Sequence, residues 1–169
     1  AGASTREVIT GLGAAPEAVE PLVRLKQRLY REHVAAGRVA VFPGAHRLLG
    51  RLTARGRAVY LVTSGSRGSV ARVLERCRLG GYFRGVLTGD DVPFSKPDPR
   101  CYRYACRLWS IPAAEAVAVE DSAHGTAAAL GAGLPTFQVH AATPLPAAIP
   151  VHDLEELASL LDPEVTADG

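Results

Sequence analysis

AVAVEDSAHGTAAALGAG, residues 116–133, sets a short apolar run directly before two carboxylates, Glu120 and Asp121, and follows them with an alanine-rich stretch. The run reads as a strand, the alanines as a helix, and the acidic pair as the loop between them. In an open α/β sheet the ligand crevice lies beyond the carboxyl ends of the strands, so carboxylates at that point are placed to hold a hard cation. The plainer alternative is that Asp121 or Ser122 caps the helix by accepting its free N–H groups. What argues for more than a cap is the rest of the chain, which supplies a hydroxyl turn and a lysine in two earlier loops of the same kind.

Outward from this stretch, strand and helix alternate. Upstream, Ala45, Leu48, Leu49 and Leu52 mark a helix stopped by Gly56, and AVYLV at 58–62 reads as a fully buried parallel strand. Thr63-Ser64-Gly65-Ser66 turns into a helix carrying Val70, Val73, Leu74 and Cys77, which Gly80-Gly81 stops. Gly85 to Leu87 is a short strand, TGDDVPFSKPDP a polar loop, and Arg100 to Trp109 the next helix. Downstream, Thr136 to Val139 is a further strand, a proline-rich loop follows, and Asp153-Leu-Glu-Glu156 caps a last helix before a frayed tail. Such alternation predicts right-handed βαβ units and an α/β, doubly wound, Rossmann-like parallel sheet.

The first 40 residues read differently, as all helix. Ser4 to Glu7 has capping-box spacing and opens a short helix closed by Gly11 and Gly13. Pro16 and Pro21 each suit a first helical turn, and Leu22, Leu25, Leu29 and Ala36 recur at helical spacing before Gly37. GLGAAP follows a helix and not a strand, so its glycines stop a helix and do not cradle a nucleotide. Arg24, Arg28, Arg31 and His33 read as a solvated face.

Composition bounds the function. With 169 residues, 21% charged and a net charge of +2 without a basic block, the chain is one domain, or one domain with a small appendage; nothing asks for nucleic acid or an anionic membrane. Three cysteines, Cys77, Cys101 and Cys106, lack C-x-x-C spacing, which predicts reduced thiols in a cytoplasmic protein. No apolar run reaches spanning length. Oligomeric state stays open, with a monomer as the default, and His46, His124, His140 and His152 show no ligand spacing. Lys26 and Lys96 are the only lysines among 19 basic residues, which makes Lys96 conspicuous.

If the strands are parallel, Thr63 and Ser64, Lys96, and Glu120 with Asp121 all meet at one edge of the sheet. These are the parts of phosphate chemistry: hydroxyl and backbone N–H groups receive phosphate oxygens, lysine neutralises charge, and carboxylates hold magnesium. Singly, Thr63 or Ser64 could be a helix cap and Lys96 a solvated loop lysine.

Their order, LVTS, SKPDP and VEDSAHG, resembles the second, third and fourth motifs of the haloacid dehalogenase superfamily. The phrases YFRGVLTGDDVPFSKPDPRCYRYA and VAVEDSAHGTAAALGAGLPTF are similar to its helical-cap subgroup of phosphoglycolate-phosphatase-like and β-phosphoglucomutase-like enzymes. The resemblance implies a partial helical cap over residues 1–40 and an α/β core over 41–169. By position it makes Thr63 the hydrogen-bond donor to the transferring phosphoryl group, Ser64 a backbone donor, and Lys96 the bridge between phosphate and nucleophile. Asp121 would bind Mg2+, Glu120 would bind or support it, and Gly125 would permit close backbone approach.

The nucleophile the resemblance implies, an aspartate in D-x-D at the end of a central first strand, is absent from these 169 residues, and Asp90, Asp91, Asp153 and Asp162 lie in the wrong contexts to replace it. The expectation is therefore a sheet with its central strand missing between the strands ending at Val62 and Val119. As a fragment of a phosphatase acting on a small phosphorylated metabolite, the chain alone is expected to be inactive. A sugar-phosphate mutase and a non-catalytic pseudophosphatase are the alternatives. Lys96, in a proline-bounded loop, is expected to serve chemistry more than folding.

Overall fold

The computed structural model describes residues 5–161. The capping box expected at Ser4 to Glu7 rests on Ser4 and the Glu7 side chain, and the frayed tail on 162–169; both lie outside the described residues. Two helices come first, α1 (Thr5–Gly11) and α2 (Pro16–Ala35). Pro16 opens α2, but Pro21 lies inside the helix and not in a first turn, at the cost of one backbone hydrogen bond. The buried face of α2 is also not the expected one: Val19, Val23 and Val34 are buried while Leu22, Leu25 and Leu29 stay over a third exposed.

Beyond the linker, α3 (Ala45–Ala54), β1 (Val59–Val62), α4 (Arg67–Arg76), β2 (Phe83–Leu87), α5 (Arg100–Leu108), β3 (Ala118–Glu120), α6 (Ala123–Gly131), β4 (Thr136–Val139), β5 (Ile149–Val151) and α7 (Leu154–Leu161) alternate as the sequence predicts. β5 is the addition. The proline-rich loop hid it, since Pro150 lacks a ladder donor; β5 pairs only β4 and so forms an edge, where a proline is tolerated.

Every strand pair is parallel, in two groups: β1 with β2, and β3 with β4 and β5. Among the described residues no ladder joins β1 to β3. The strands thus fall into two groups, and the break between them lies at the position where the resemblance puts a further strand. For the same reason β1 is half-buried at all four positions and not fully buried, and Val117 just before β3 and Val119 within it remain exposed.

Two cores cover opposite faces. Leu48 of α3 and Leu157 and Ala158 of α7 pack on Phe137, Val139 and Val151, while Tyr102 of α5 and Ala128 and Ala129 of α6 pack on Ala118. Helices on both faces of parallel strands are the doubly wound arrangement. At the start of α7, Asp153 Oδ1 accepts the N–H groups of Glu155 and Glu156 at 2.9 Å each, and Glu156 answers by accepting from His152 N at 2.6 Å. Asp153 is thus the cap read from the sequence, with the return bond of Glu156 made one residue earlier than in a strict capping box.

Candidate functional site

The acidic pair divides its labour by burial. Glu120 is the last residue of β3 and is 7% exposed; its Oε1 accepts from Lys96 Nζ and from the Tyr102 hydroxyl. On the other side, Gly125 lies so close that a Cβ there would collide with the Glu120 carboxylate. The glycine is needed for close approach, to this side chain. Asp121, one residue on, is exposed, and among the described residues its carboxylate makes no hydrogen bond or ion pair. Capping falls to Ser122, whose Oγ accepts from Gly125 N at 3.1 Å, so the helix leaves Asp121 uncommitted.

Lys96 is the second element, and it is not a solvated loop lysine. Its ammonium is carried inward to 6% exposure, where it donates to Glu120 and, at 2.9 Å, to Val62 O. Val62 ends β1 and Glu120 ends β3, so one ammonium spans the interruption and satisfies a carbonyl at the open end of β1. A buried charge persists only when paired and hydrogen-bonded, and both conditions are met. Lys96 therefore serves folding as well as any chemistry, which its loop context in the sequence conceals. The Tyr102 ring lies 5.2 Å from the same ammonium. Burial, with Glu120 adding to it, pushes the Tyr102 hydroxyl far above its ordinary value and keeps it a donor.

Thr63 and Ser64 occupy the turn from β1 into α4. Thr63 N donates to Leu87 O at 2.9 Å, which ties the turn to β2, and Thr63 Oγ1 accepts from Gly65 N at 3.1 Å. Thr63, Ser64 and Lys96 line one cavity of roughly 270 Å³ with Thr88, Gly89, Phe94 and Cys101. Glu120 joins it through Lys96, whereas Asp121 is not part of its lining. Burial raises the Cys101 thiol above its usual range, and its Sγ lies 3.5 Å from Phe94 O, which makes it a packing group. All three cysteines are free.

The sequence singled out Thr63, Ser64, Lys96, Glu120 and Asp121, and missed Tyr102. Its signal was available: a tyrosine on the buried face of α5 with Cys101 and Ala105 needs an acceptor for its hydroxyl. What a cation would find exposed at this edge is Asp121, whose carboxylate is uncommitted among the described residues. Glu120 already serves Lys96 and Tyr102, and among the described residues no three His, Cys, Asp or Glu side chains converge. Asp121 thus fits one ligand position of a magnesium ion, which usually takes one or two protein carboxylates and fills its other positions with water and substrate oxygens.

A doubly wound parallel sheet thus sets a hydroxyl turn, a buried lysine and a carboxylate pair at the carboxyl ends of its strands, which defines the chain as an α/β protein with a polar site at that edge. Residues 6–133 match the haloacid dehalogenase-like hydrolase family, and the chain belongs to it. It is 37% identical over 131 residues to a plasmid-encoded phosphoglycolate phosphatase of Cupriavidus necator, covering 73% of this chain and 57% of that protein. The chain thus spans about half the length of that relative. The structure superposes with TM-score 0.76 on CbbY from Rhodobacter sphaeroides in complex with phosphate, at 26% identity, over 88% of this chain and 72% of that one. It superposes with TM-score 0.80 on β-phosphoglucomutase from Clostridium difficile, over 96% and 77% of the two chains; at 17% identity this likeness shows the fold. Among the described residues no helix is long and apolar enough to cross a membrane.

Proposed function

We propose that this chain carries the phosphate- and metal-binding part of a magnesium-dependent phosphomonoester hydrolase acting on a small phosphorylated metabolite. The nucleophile in this reading is an aspartate on a further strand, outside these 169 residues, lying between β1 and β3. The observation that carries it is the Lys96 ammonium at the interruption, bonded at once to Val62 O and Glu120. A strand ending there would deliver a carboxylate beside a buried cation. The identity to a phosphoglycolate phosphatase and the phosphate bound by a structural neighbour support the reading.

In the reaction, the aspartate oxygen attacks phosphorus, the ester oxygen leaves with a proton given by the second aspartate of D-x-D, also outside these residues, and water, returning a proton to that aspartate, cleaves the aspartyl-phosphate to phosphate and free carboxylate. Thr63 Oγ1 and the Ser64 N–H donate to the phosphoryl oxygens, and Lys96 lies between phosphate and nucleophile, held by Glu120. Charge placed before the reaction stabilises developing negative charge most effectively. Asp121 would hold magnesium, which neutralises phosphoryl charge. Residues 1–40 act as part of a helical cap and 41–169 as the core. The partner is a small metabolite and neither nucleic acid nor membrane, the chain is a monomer, and the compartment is the cytoplasm, in keeping with three free thiols.

The test compares the 169-residue chain with a longer chain that supplies an apolar strand ending in D-x-D. Both are assayed with magnesium on a general phosphomonoester and on 2-phosphoglycolate. The short chain is expected to be inactive and the long one active, with magnesium affinity reduced more by Asp121→Asn than by Glu120→Gln. Comparable turnover by both chains, abolished by Asp121→Asn, would show that a nucleophile exists within these residues and would refute the missing-strand reading.

A further inference from the structure

Asp90 and Asp91 have no part in the proposed chemistry, yet the structure ties both to the turn that carries Thr63 and Ser64. That turn runs into α4 without a side-chain cap of its own. Ser66 occupies the N-cap position, but its hydroxyl is bonded to Ser69 Oγ at 3.0 Å. The cap arrives from the β2 loop, where Asp90 Oδ2 accepts Arg67 N at 2.8 Å. Asp91 secures the same loop from the other side. Its Oδ2 accepts Thr88 N at 2.7 Å and Thr88 Oγ1 at 2.6 Å, and its Oδ1 takes the Arg67 guanidinium. Between them Gly89 N donates to Gly65 O at 2.9 Å, and Gly89 fits so closely that a Cβ would stand 2.7 Å from Ser64 O.

Loop 88–91 is thus keyed to turn 63–67 at Ser64, Gly65 and Arg67. A turn with glycine at its centre has many conformations open to it, and donors for an anion are effective only when held in place before the anion arrives. We infer that Asp90 and Asp91 are positioning residues for the phosphate-binding turn, setting Thr63 and Ser64 through Arg67, Thr88 and Gly89 without touching the ligand. The inference rests on the reading of Thr63, Ser64 and Lys96 as a phosphate site. Two carboxylates near an anion site would ordinarily repel the anion; here Arg67 pairs with Asp91, and each acid accepts from a backbone N–H of the helix or loop.

The test uses the 15N-labelled 169-residue chain, the Asp91→Ala variant, and Asp91→Asn, which keeps an acceptor oxygen for Thr88. Without ligand, amide exchange at Gly89 and Arg67 is expected to quicken at least tenfold in Asp91→Ala, with Phe137 and Val139 of β4 unchanged. On titration with inorganic phosphate, the Ser64 and Gly65 amides of the unmodified chain are expected to shift. The affinity read from those shifts should fall at least tenfold in Asp91→Ala and by less in Asp91→Asn. Should Asp91→Ala fail to fold, the fall in Asp91→Asn at an unchanged unfolding midpoint carries the test. Faster exchange with unchanged phosphate affinity would reduce the contacts to stability alone and overturn the inference. Unchanged exchange would show that Asp91 does not hold the turn, and overturns it equally. No phosphate response in the unmodified chain would overturn the site reading, and this inference with it.

Discussion

Lys96 carries its charge to 6% exposure, and its carboxylate partner is 7% exposed. Removing one member of such a pair leaves the other charged, buried and short of a partner. Lys96→Ala is therefore expected to lower unfolding stability by about 3–5 kcal/mol. The double variant Lys96→Met/Glu120→Gln, which removes both charges, should recover most of that loss. Urea unfolding followed by Trp109 is a direct check, because this tryptophan stacks on Tyr60 of β1 at 4.4 Å between centroids. An unchanged midpoint in Lys96→Ala would restore the solvated-loop reading. The burial was not legible in SKPDP: the acceptors of Lys96 lie 34 and 24 residues away in the chain, and only folding brings them to one point.

At the scale of elements, the loops between strand and helix are set by contacts of two kinds. Some are local and visible in sequence, such as the Asp153 cap of α7 and the Ser122 cap of α6. Others join separate loops, such as Asp90 and Asp91 to Arg67. Hydrogen bonds from Thr88, with Arg67 beside them, lower the Asp91 carboxyl from 3.8 to about 2. A depressed carboxyl contributes stability that is fully present above the unfolded value and lost as pH falls through the folded one. The Thr88 amide shift is expected to hold steady from neutral pH to about 4 and to move with a midpoint near 2. A midpoint at the ordinary carboxyl value would show that the ring of donors is not closed in solution. A second expectation concerns α6. Gly125→Ala should displace Glu120 and with it the Lys96 ammonium, seen as a change in the Lys96 side-chain resonances while those of Lys26, the one other lysine, stay fixed.

For the whole molecule the decisive feature is the interruption between β1 and β3. β4 is bonded on both sides, β1 to β2 alone. Amides on the open side of β1 have no ladder partner, so native-state exchange at Val59 to Val62 should include positions at least tenfold faster than any in Phe137 to Val139. Under the proposed reading, a longer chain that adds a strand between β1 and β3 should slow those positions and steepen the dependence of unfolding on urea, since more surface is buried. Equal protection of β1 and β4 in the short chain would mean that the gap is closed in solution.

The sequence by itself determined the order of elements and the parallel doubly wound sheet, because hydrophobic period, caps and turn residues are local signals; the place of a further strand between β1 and β3 came from the family resemblance alone. It also brought Thr63, Ser64, Lys96, Glu120 and Asp121 to one edge, since the carboxyl ends of parallel strands lie together. It lost β5 to Pro150, and took the leucine stripe of α2 for the packed face when Val19, Val23 and Val34 are the buried residues. Only the tertiary structure decided which carboxylate is committed to Lys96 and Tyr102 and which stays exposed, and that Asp90 and Asp91 bond to Arg67 at the start of α4. Those outcomes depend on burial and on distances between loops far apart in the chain, and neither is encoded in the spacing of residues along it.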